Sequence, residues 1–146
     1  MRRVGRIPGR SPCKSALADP DLHGSASAAE HAPYARRVIV VAPACACCGA
    51  AAHFLGTLAA TMQRWDEAAG RFEEALVVNE RLGAPPLIAR TQLSYARMLL
   101  DRRGAGDRER ATALLAPALE SAETLGMPVV ASDCRELLAR AALAEA

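Results

Sequence analysis

Apolar residues recur every three or four positions from about Cys48 to the C-terminus, which is the spacing that places side chains on one face of a helix. This pattern predicts five helices, over residues 48–62, 66–82, 86–99, 107–125 and 129–142. Asp107 is expected to cap the fourth helix, and Pro117 to kink it without ending it. Residues 1–47 show no sustained period and are predicted to be disordered or poorly packed, although Val38–Val41 could form one short strand with no partner nearby.

The helical part of the chain, residues 48–146, repeats itself after 43 residues. The sequence LGAPP at residues 82–86 returns as LGMPV at residues 125–129. Gly83 is expected to take the left-handed position that ends the second helix, and the prolines after it prevent the helix from continuing. Four apolar positions of the second helix return in the fourth helix: Ala68, Phe72, Ala75 and Leu76 as Ala111, Leu115, Ala118 and Leu119. Such a period is typical of stacked helix arrays, which bind other molecules far more often than they catalyse reactions.

Six residues follow the order and spacing of a known helical repeat: Leu55, Gly56, Trp65, Ala68, Phe72 and Ala75. Residues 50–146 therefore resemble the tetratricopeptide repeat, with one full unit and one degenerate unit in which Ala96 replaces the glycine and Leu115 the aromatic residue. The resemblance implies an all-α fold, built as a short right-handed solenoid of antiparallel helix pairs. It also implies that Trp65 packs at the helix turn and that Phe72 fills the interface between paired helices.

A narrower resemblance concerns the sequence around NERLGA at residues 79–84, YARMLL at residues 95–100 and GDRERA at residues 106–111. These segments are similar to the C-terminal end of large bacterial ATP-binding signalling proteins, including LuxR-type transcriptional regulators and ATPases fused to cyclase domains. The chain itself carries no Walker A motif, no helix-turn-helix signature and no cyclase signature. The resemblance implies the C-terminal part of such a regulator, without its ATPase module.

The expected function is a protein-interaction or regulatory module whose concave face is built by the first helix of each unit. Family correspondence gives the candidate groove residues as His53, Thr57, Thr61, Arg90, Arg97 and Asp101. The expected partner is a protein or peptide segment, gripped through carboxylates by Arg90 and Arg97. In the alternative interpretation these arginines are solvated and pair locally, for instance Arg97 with Asp101. Self-association through the open ends of the array is a further expectation. The rival functions are a truncated remnant without independent activity and a small-molecule-sensing helical domain.

Charge and chemistry narrow these alternatives. A net charge of +2 and an aromatic content of 3 % argue against direct binding of nucleic acid or of an anionic membrane. The sequence contains no nucleophile–base pair of the kind that would indicate an enzyme, so neither catalysis nor a cofactor is expected. The cluster of Cys45, Cys47 and Cys48 near His53 lacks the second ligand pair of a zinc site, so no metal is expected either. The five cysteines are irregularly spaced, which favours a reducing cytoplasm, and Cys134 is predicted to be a small buried apolar residue.

Overall fold

A computed structural model describes residues 35–41 and 46–143, and this part of the chain is mostly helical, as predicted. A two-stranded antiparallel sheet comes first and five helices follow it. The strands are β1 (Val38–Val41) and β2 (Ala46–Ala50). The helices are α1 (Ala51–Thr61), α2 (Trp65–Arg81), α3 (Pro85–Arg102), α4 (Asp107–Thr124) and α5 (Pro128–Leu143). None of these helices combines the length and apolar character needed to cross a membrane.

The expectation that Val38–Val41 lacks a partner is wrong. This strand pairs with β2, so that Val38 lies opposite Ala50, and the first helix consequently begins at Ala51 rather than near residue 48. The N–H groups of Ala51 and Ala52 donate to the carbonyls of Arg37 and Ala35, at 2.8 and 3.0 Å. The first N–H groups of a helix have no partner within the helix, so the hairpin satisfies two donors of α1. The rest of the 1–47 segment, residues 1–34 and 42–45, lies outside the described residues.

Helices α2 and α3 run antiparallel, as two contacts between them show. Near the C-terminal end of α2, Asn79 Nδ2 donates to Thr91 Oγ1 at 3.1 Å. At the opposite end of α2, Asp66 Oδ1 lies 3.6 Å from Arg102 Nη1. Residues later in α3 thus meet residues earlier in α2. Helix α3 packs against all four other helices and therefore occupies the centre of the fold.

The predicted helix ends are found, and they share one geometry. Gly83 after α2 and Gly126 after α4 have φ angles of +59° and +65°, in the left-handed region. In both, the glycine N–H donates to the carbonyl three residues earlier, and the next N–H donates to the carbonyl five residues earlier. Gln63 after α1 makes the same two bonds at a φ of +57°, although a side chain is strained there.

The core centres on Phe72 of α2 and Tyr95 of α3, both 1 % exposed. Their rings stack at a centroid distance of 5.5 Å and an angle of 22°. Trp65 packs against this cluster at the first residue of α2, so the structural roles predicted for Trp65 and Phe72 are confirmed. Cys134 is fully buried, as predicted, and burial raises the pKa of its thiol. Helix α4 continues through Pro117 without a break, also as predicted.

Asp107 does not cap α4, contrary to the prediction. It is the first residue of the helix rather than the residue before it. Its carboxylate instead accepts the N–H of Gly104 at 2.7 Å and two hydrogen bonds from the guanidinium of Arg102, at 2.8 and 2.5 Å. Asp107 is 3 % exposed, and the hydrogen bond from Arg102 holds the pKa of its carboxyl below the ordinary value. The residue therefore fixes the loop between α3 and α4.

Candidate binding groove

A groove runs between α1 and α3 and encloses a volume of about 300 Å³. This volume lies at the lower end of the range for ligand pockets in proteins. Nine residues line it: Thr57, Ala60, Thr61, Trp65, Phe72, Ser94, Arg97, Met98 and Asp101. The structure thus brings together four of the six candidate residues, namely Thr57, Thr61, Arg97 and Asp101. We call this feature the α1/α3 groove.

The apolar residues of the α1/α3 groove are rigidly held. Phe72 and Met98 are 1 % and 2 % exposed, and both belong to the central core cluster. Trp65 and Ala60 are partly buried against the same cluster. A surface that is continuous with the core keeps its shape, because the side chains beneath it have no free volume in which to move. The groove therefore offers an apolar floor with a fixed shape.

The two charged residues of the groove form ion pairs with α5. Arg97 Nη2 lies 3.3 Å from Asp133 Oδ2, and Asp101 Oδ1 accepts a hydrogen bond of 2.7 Å from Arg140 Nη2. The local pair of Arg97 with Asp101 that one sequence interpretation suggested is therefore replaced by two pairs with α5. The side chains of Arg97 and Asp133 are 53 % and 37 % exposed. Ion pairs as exposed as this are worth about 0–1 kcal/mol, so a ligand can replace them at little cost.

The two threonines of α1 present hydrogen-bond acceptors to the groove. Thr57 Oγ1 donates to the carbonyl of His53 at 3.0 Å, and Thr61 Oγ1 donates to the carbonyl of Leu58 at 2.7 Å. A hydroxyl has one hydrogen and two lone pairs. Since the hydrogen is used within the helix, each oxygen remains able to accept a bond from a ligand N–H or O–H group.

His53 does not line the α1/α3 groove. Its Nδ1 lies 3.2 Å from Thr91 Oγ1, and Thr91 donates its hydrogen to the carbonyl of Leu87 at 2.8 Å. Because Thr91 uses its hydrogen on Leu87, the contact with His53 is a hydrogen bond when the ring carries its proton on Nδ1. Burial, and then the charge of Arg90, lowers the pKa of His53. These contacts give His53 a structural role.

Arg90 lies at the end of α3 that is nearest to His53. It is exposed, and within residues 35–41 and 46–143 it forms no ion pair. Together with His53 and Thr91 it borders a cavity of about 10 Å³, which is the size of one water molecule. Arg90 and Arg97 lie seven residues apart, so they occupy one face of α3 at a separation of roughly 10 Å along the helix axis.

Asn79 holds the supporting structure of this region together, and sequence reasoning did not assign it this role. It is 1 % exposed; Oδ1 accepts the N–H of Ala50 at 3.1 Å, while Nδ2 donates to Thr91. The side chain thereby links the hairpin to α2 and α3. The available signal was an asparagine within the apolar stripe of α2, since a buried amide needs hydrogen-bond partners.

The structure describes only part of the cysteine cluster near His53. Cys48 is a half-buried free thiol, and Cys13 and Cys45 lie outside the described residues. Across residues 35–41 and 46–143, no three His, Cys, Asp or Glu side chains are grouped closely enough to hold a metal ion.

Three comparisons with known proteins identified no relative of this chain. Searches against protein-family models, curated proteins and solved structures each found no match. The resemblance to the tetratricopeptide repeat consequently stays a prediction from the quoted residues. The interpretation of the α1/α3 groove depends on its own geometry and charge.

Proposed function

We propose that this chain is a helical-repeat interaction module that binds a protein or peptide segment in the α1/α3 groove. In this proposal the helices form a short right-handed solenoid of antiparallel pairs, of the tetratricopeptide type. One observation carries the proposal: a rigid apolar floor lies beneath a rim of hydroxyl and charged side chains contributed by α1 and α3. Grooves of peptide-binding proteins combine these two features, since the apolar floor provides affinity and the polar rim orientation.

The charges of the groove favour a partner with a carboxylate beside an apolar side chain. The apolar side chain would pack on Ala60 and Trp65, which line the groove and are only partly buried. The carboxylate would replace Asp133 at Arg97, or bind Arg90, which forms no ion pair in the described part of the chain. A guanidinium can hold a carboxylate through two parallel hydrogen bonds.

The single tryptophan of the chain, Trp65, lines the groove and reports its occupancy directly. Arrayed peptides with an apolar residue next to an acidic one would be screened for binding, and positive peptides titrated against Trp65 fluorescence. The Arg90→Ala/Arg97→Ala variant should lose binding by about tenfold or more, because a hydrogen bond between a bound carboxylate and an arginine contributes roughly 1.5–3 kcal/mol, and tenfold corresponds to about 1.4 kcal/mol.

The matched control is Arg135→Ala, which removes an exposed arginine of α5 that pairs with Glu123 and does not line the groove. This variant should bind like the wild type. If the double arginine variant stays folded and retains full affinity, the groove assignment is wrong.

The wider context of the module is also a proposal. The similarity of residues 79–111 to the tails of bacterial ATP-binding regulators supports a cytoplasmic signalling or transcription-regulatory role, exerted through protein contacts rather than through nucleic acid. A pull-down from the native host, with the wild type beside Arg90→Ala/Arg97→Ala, tests it. Recovery of an ATPase or cyclase polypeptide only with the wild type would support this role, and its absence from both would count against it.

A further inference from the structure

A second groove, between α4 and α5, lies at the opposite end of the helix stack from the hairpin. It encloses about 580 Å³ and is lined by Arg108, Glu109, Thr112, Ala113, Ala116, Leu138, Ala141 and Ala142. We call it the α4/α5 groove. Its wall on α5 is aliphatic, and the neighbouring Leu143 is 76 % exposed. No other helix of the described residues covers it.

The 43-residue repeat shows what a groove at this position holds. The residues that lie 43 positions before Leu138, Ala141 and Ala142 are Tyr95, Met98 and Leu99, which lie on α3. Helix α4 packs against α3 and places Arg110 over the ring of Tyr95, and none of the three residues is more than 2 % exposed. Ala142, by contrast, is exposed. The fold therefore fills this groove with a helix in one repeat and leaves it open in the next.

The two grooves differ in the helix that they would accept. In the filled groove, the guanidinium of Arg110 lies 5.2 Å from the centre of the Tyr95 ring and pairs with Glu73 at 2.5 Å. The positions equivalent to Tyr95 and Glu73 are Leu138 and Ala116, which cannot bind a guanidinium. The open groove thus suits a helix with small and aliphatic residues on its contact face.

We infer that the α4/α5 groove binds α5 of a second copy of this chain, in a symmetric dimer. Helix α5 has the required composition, since Ala142 and Leu143 are exposed on it. The rim of the groove is self-complementary: Arg108 and Glu109 have opposite charges, and neither forms an ion pair with another described residue. A two-fold interface requires this property, because residue i of one copy contacts residue j of the other and the reverse. Arg108 of each copy would therefore meet Glu109 of the other.

Sedimentation equilibrium of the full chain, from about 1 μM to about 1 mM, tests this inference over the affinity range of ordinary dimers. We expect a monomer–dimer equilibrium. Ala113→Arg and Ala142→Arg place a charge in the groove and should raise the dissociation constant at least about tenfold. Ser132→Arg and Ala139→Arg are matched controls, because both residues are small and exposed on α5 outside the groove, and they should leave the constant unchanged. Circular dichroism checks that all four variants remain helical.

Charge reversal identifies the interface more specifically. Arg108→Glu and Glu109→Arg should each weaken the dimer, since each brings like charges together across the two-fold axis, and the double reversal should restore it. A chain that is monomeric throughout the range would overturn the inference, as would a dimer indifferent to the groove variants. Peptide binding at the α1/α3 groove is a separate property, so either result leaves that proposal standing.

Discussion

The close approach of Gly56 to Phe72 gives a prediction in which two opposing effects can be separated. A Cβ atom at Gly56 would lie 3.0 Å from two ring carbons of Phe72 and 3.1 Å from a third. Phe72 cannot retreat easily, because it is 1 % exposed and stacks on Tyr95. Overpacking of this kind costs about 1–3 kcal/mol, whereas replacing glycine by alanine inside a helix gains roughly 0.5–1 kcal/mol. Gly56→Ala should therefore destabilise the fold by about 1 kcal/mol.

Gly70 provides the matched control within the same helix pair. It lies inside α2, is exposed, and an added Cβ would meet no atom within 4 Å. Gly70→Ala should gain the helix propensity alone and stabilise the fold by roughly 0.5–1 kcal/mol. Since that gain is common to both variants, the difference between them isolates the steric cost, at about 1–3 kcal/mol.

Urea unfolding followed by circular dichroism measures both variants, with the midpoint shifts converted through a shared slope. Phe72→Leu should partly relieve the effect of Gly56→Ala, so the double variant should be more stable than the sum of the single changes predicts. If Gly56→Ala and Gly70→Ala raise the midpoint by the same amount, then Phe72 does not pack tightly against α1 and the account of this interface is wrong.

Three further predictions concern the core, two helix ends and a half-buried histidine. Phe72→Ala should cost about 3–5 kcal/mol by urea unfolding, because the ring is fully buried, and a loss below about 1 kcal/mol would contradict its core position. Gln63→Gly should stabilise the fold by roughly 1 kcal/mol and Gly83→Ala should destabilise it by a similar amount, since both residues have left-handed φ angles. The melting temperatures of the two variants should therefore shift in opposite directions, and shifts in the same direction would refute this. Because the pKa of His53 is lowered in the folded chain, the unfolded chain binds a proton more readily than the native chain does, so stability should be full above about pH 6.5 and fall on acidification below it. In urea titrations, His53→Gln should lose less stability than the wild type between about pH 7.5 and about pH 5.5. An equal loss of stability in the two proteins would exclude His53 as its source.

The helices could be predicted because their signals are local. Apolar spacing within each segment identified all five, and the glycines at 83 and 126 marked two of their ends. The hairpin could not be predicted, because β2 carries the sequence ACCGA, in which apolar and polar residues do not alternate. Its pairing with β1 depends on tertiary contacts. The role of Asp107 is decided locally, because its carboxylate binds the N–H of Gly104 and the guanidinium of Arg102, three and five residues earlier, instead of capping its own helix.

The candidate groove was predictable in position but not in chemistry. Correspondence with the tetratricopeptide repeat placed Thr57, Thr61, Arg97 and Asp101 on one concave face, and helix periodicity explains only which residues within each helix share that face. The ion partners of Arg97 and Asp101 lie 36 and 39 residues further along the chain, on α5. No local pattern reveals such partners, because they depend on how the helices pack against one another.

The central position of α3 has a consequence for the order in which the molecule opens. Most contacts join helices that are adjacent in sequence, whereas α3 packs against every other helix. The energy that holds a backbone amide closed depends on how many neighbours must separate before it reaches solvent. Amide hydrogens of α3 should therefore exchange most slowly with deuterium. In the monomer, those of α5, which packs mainly against α3 and α4 among the described helices, should exchange first.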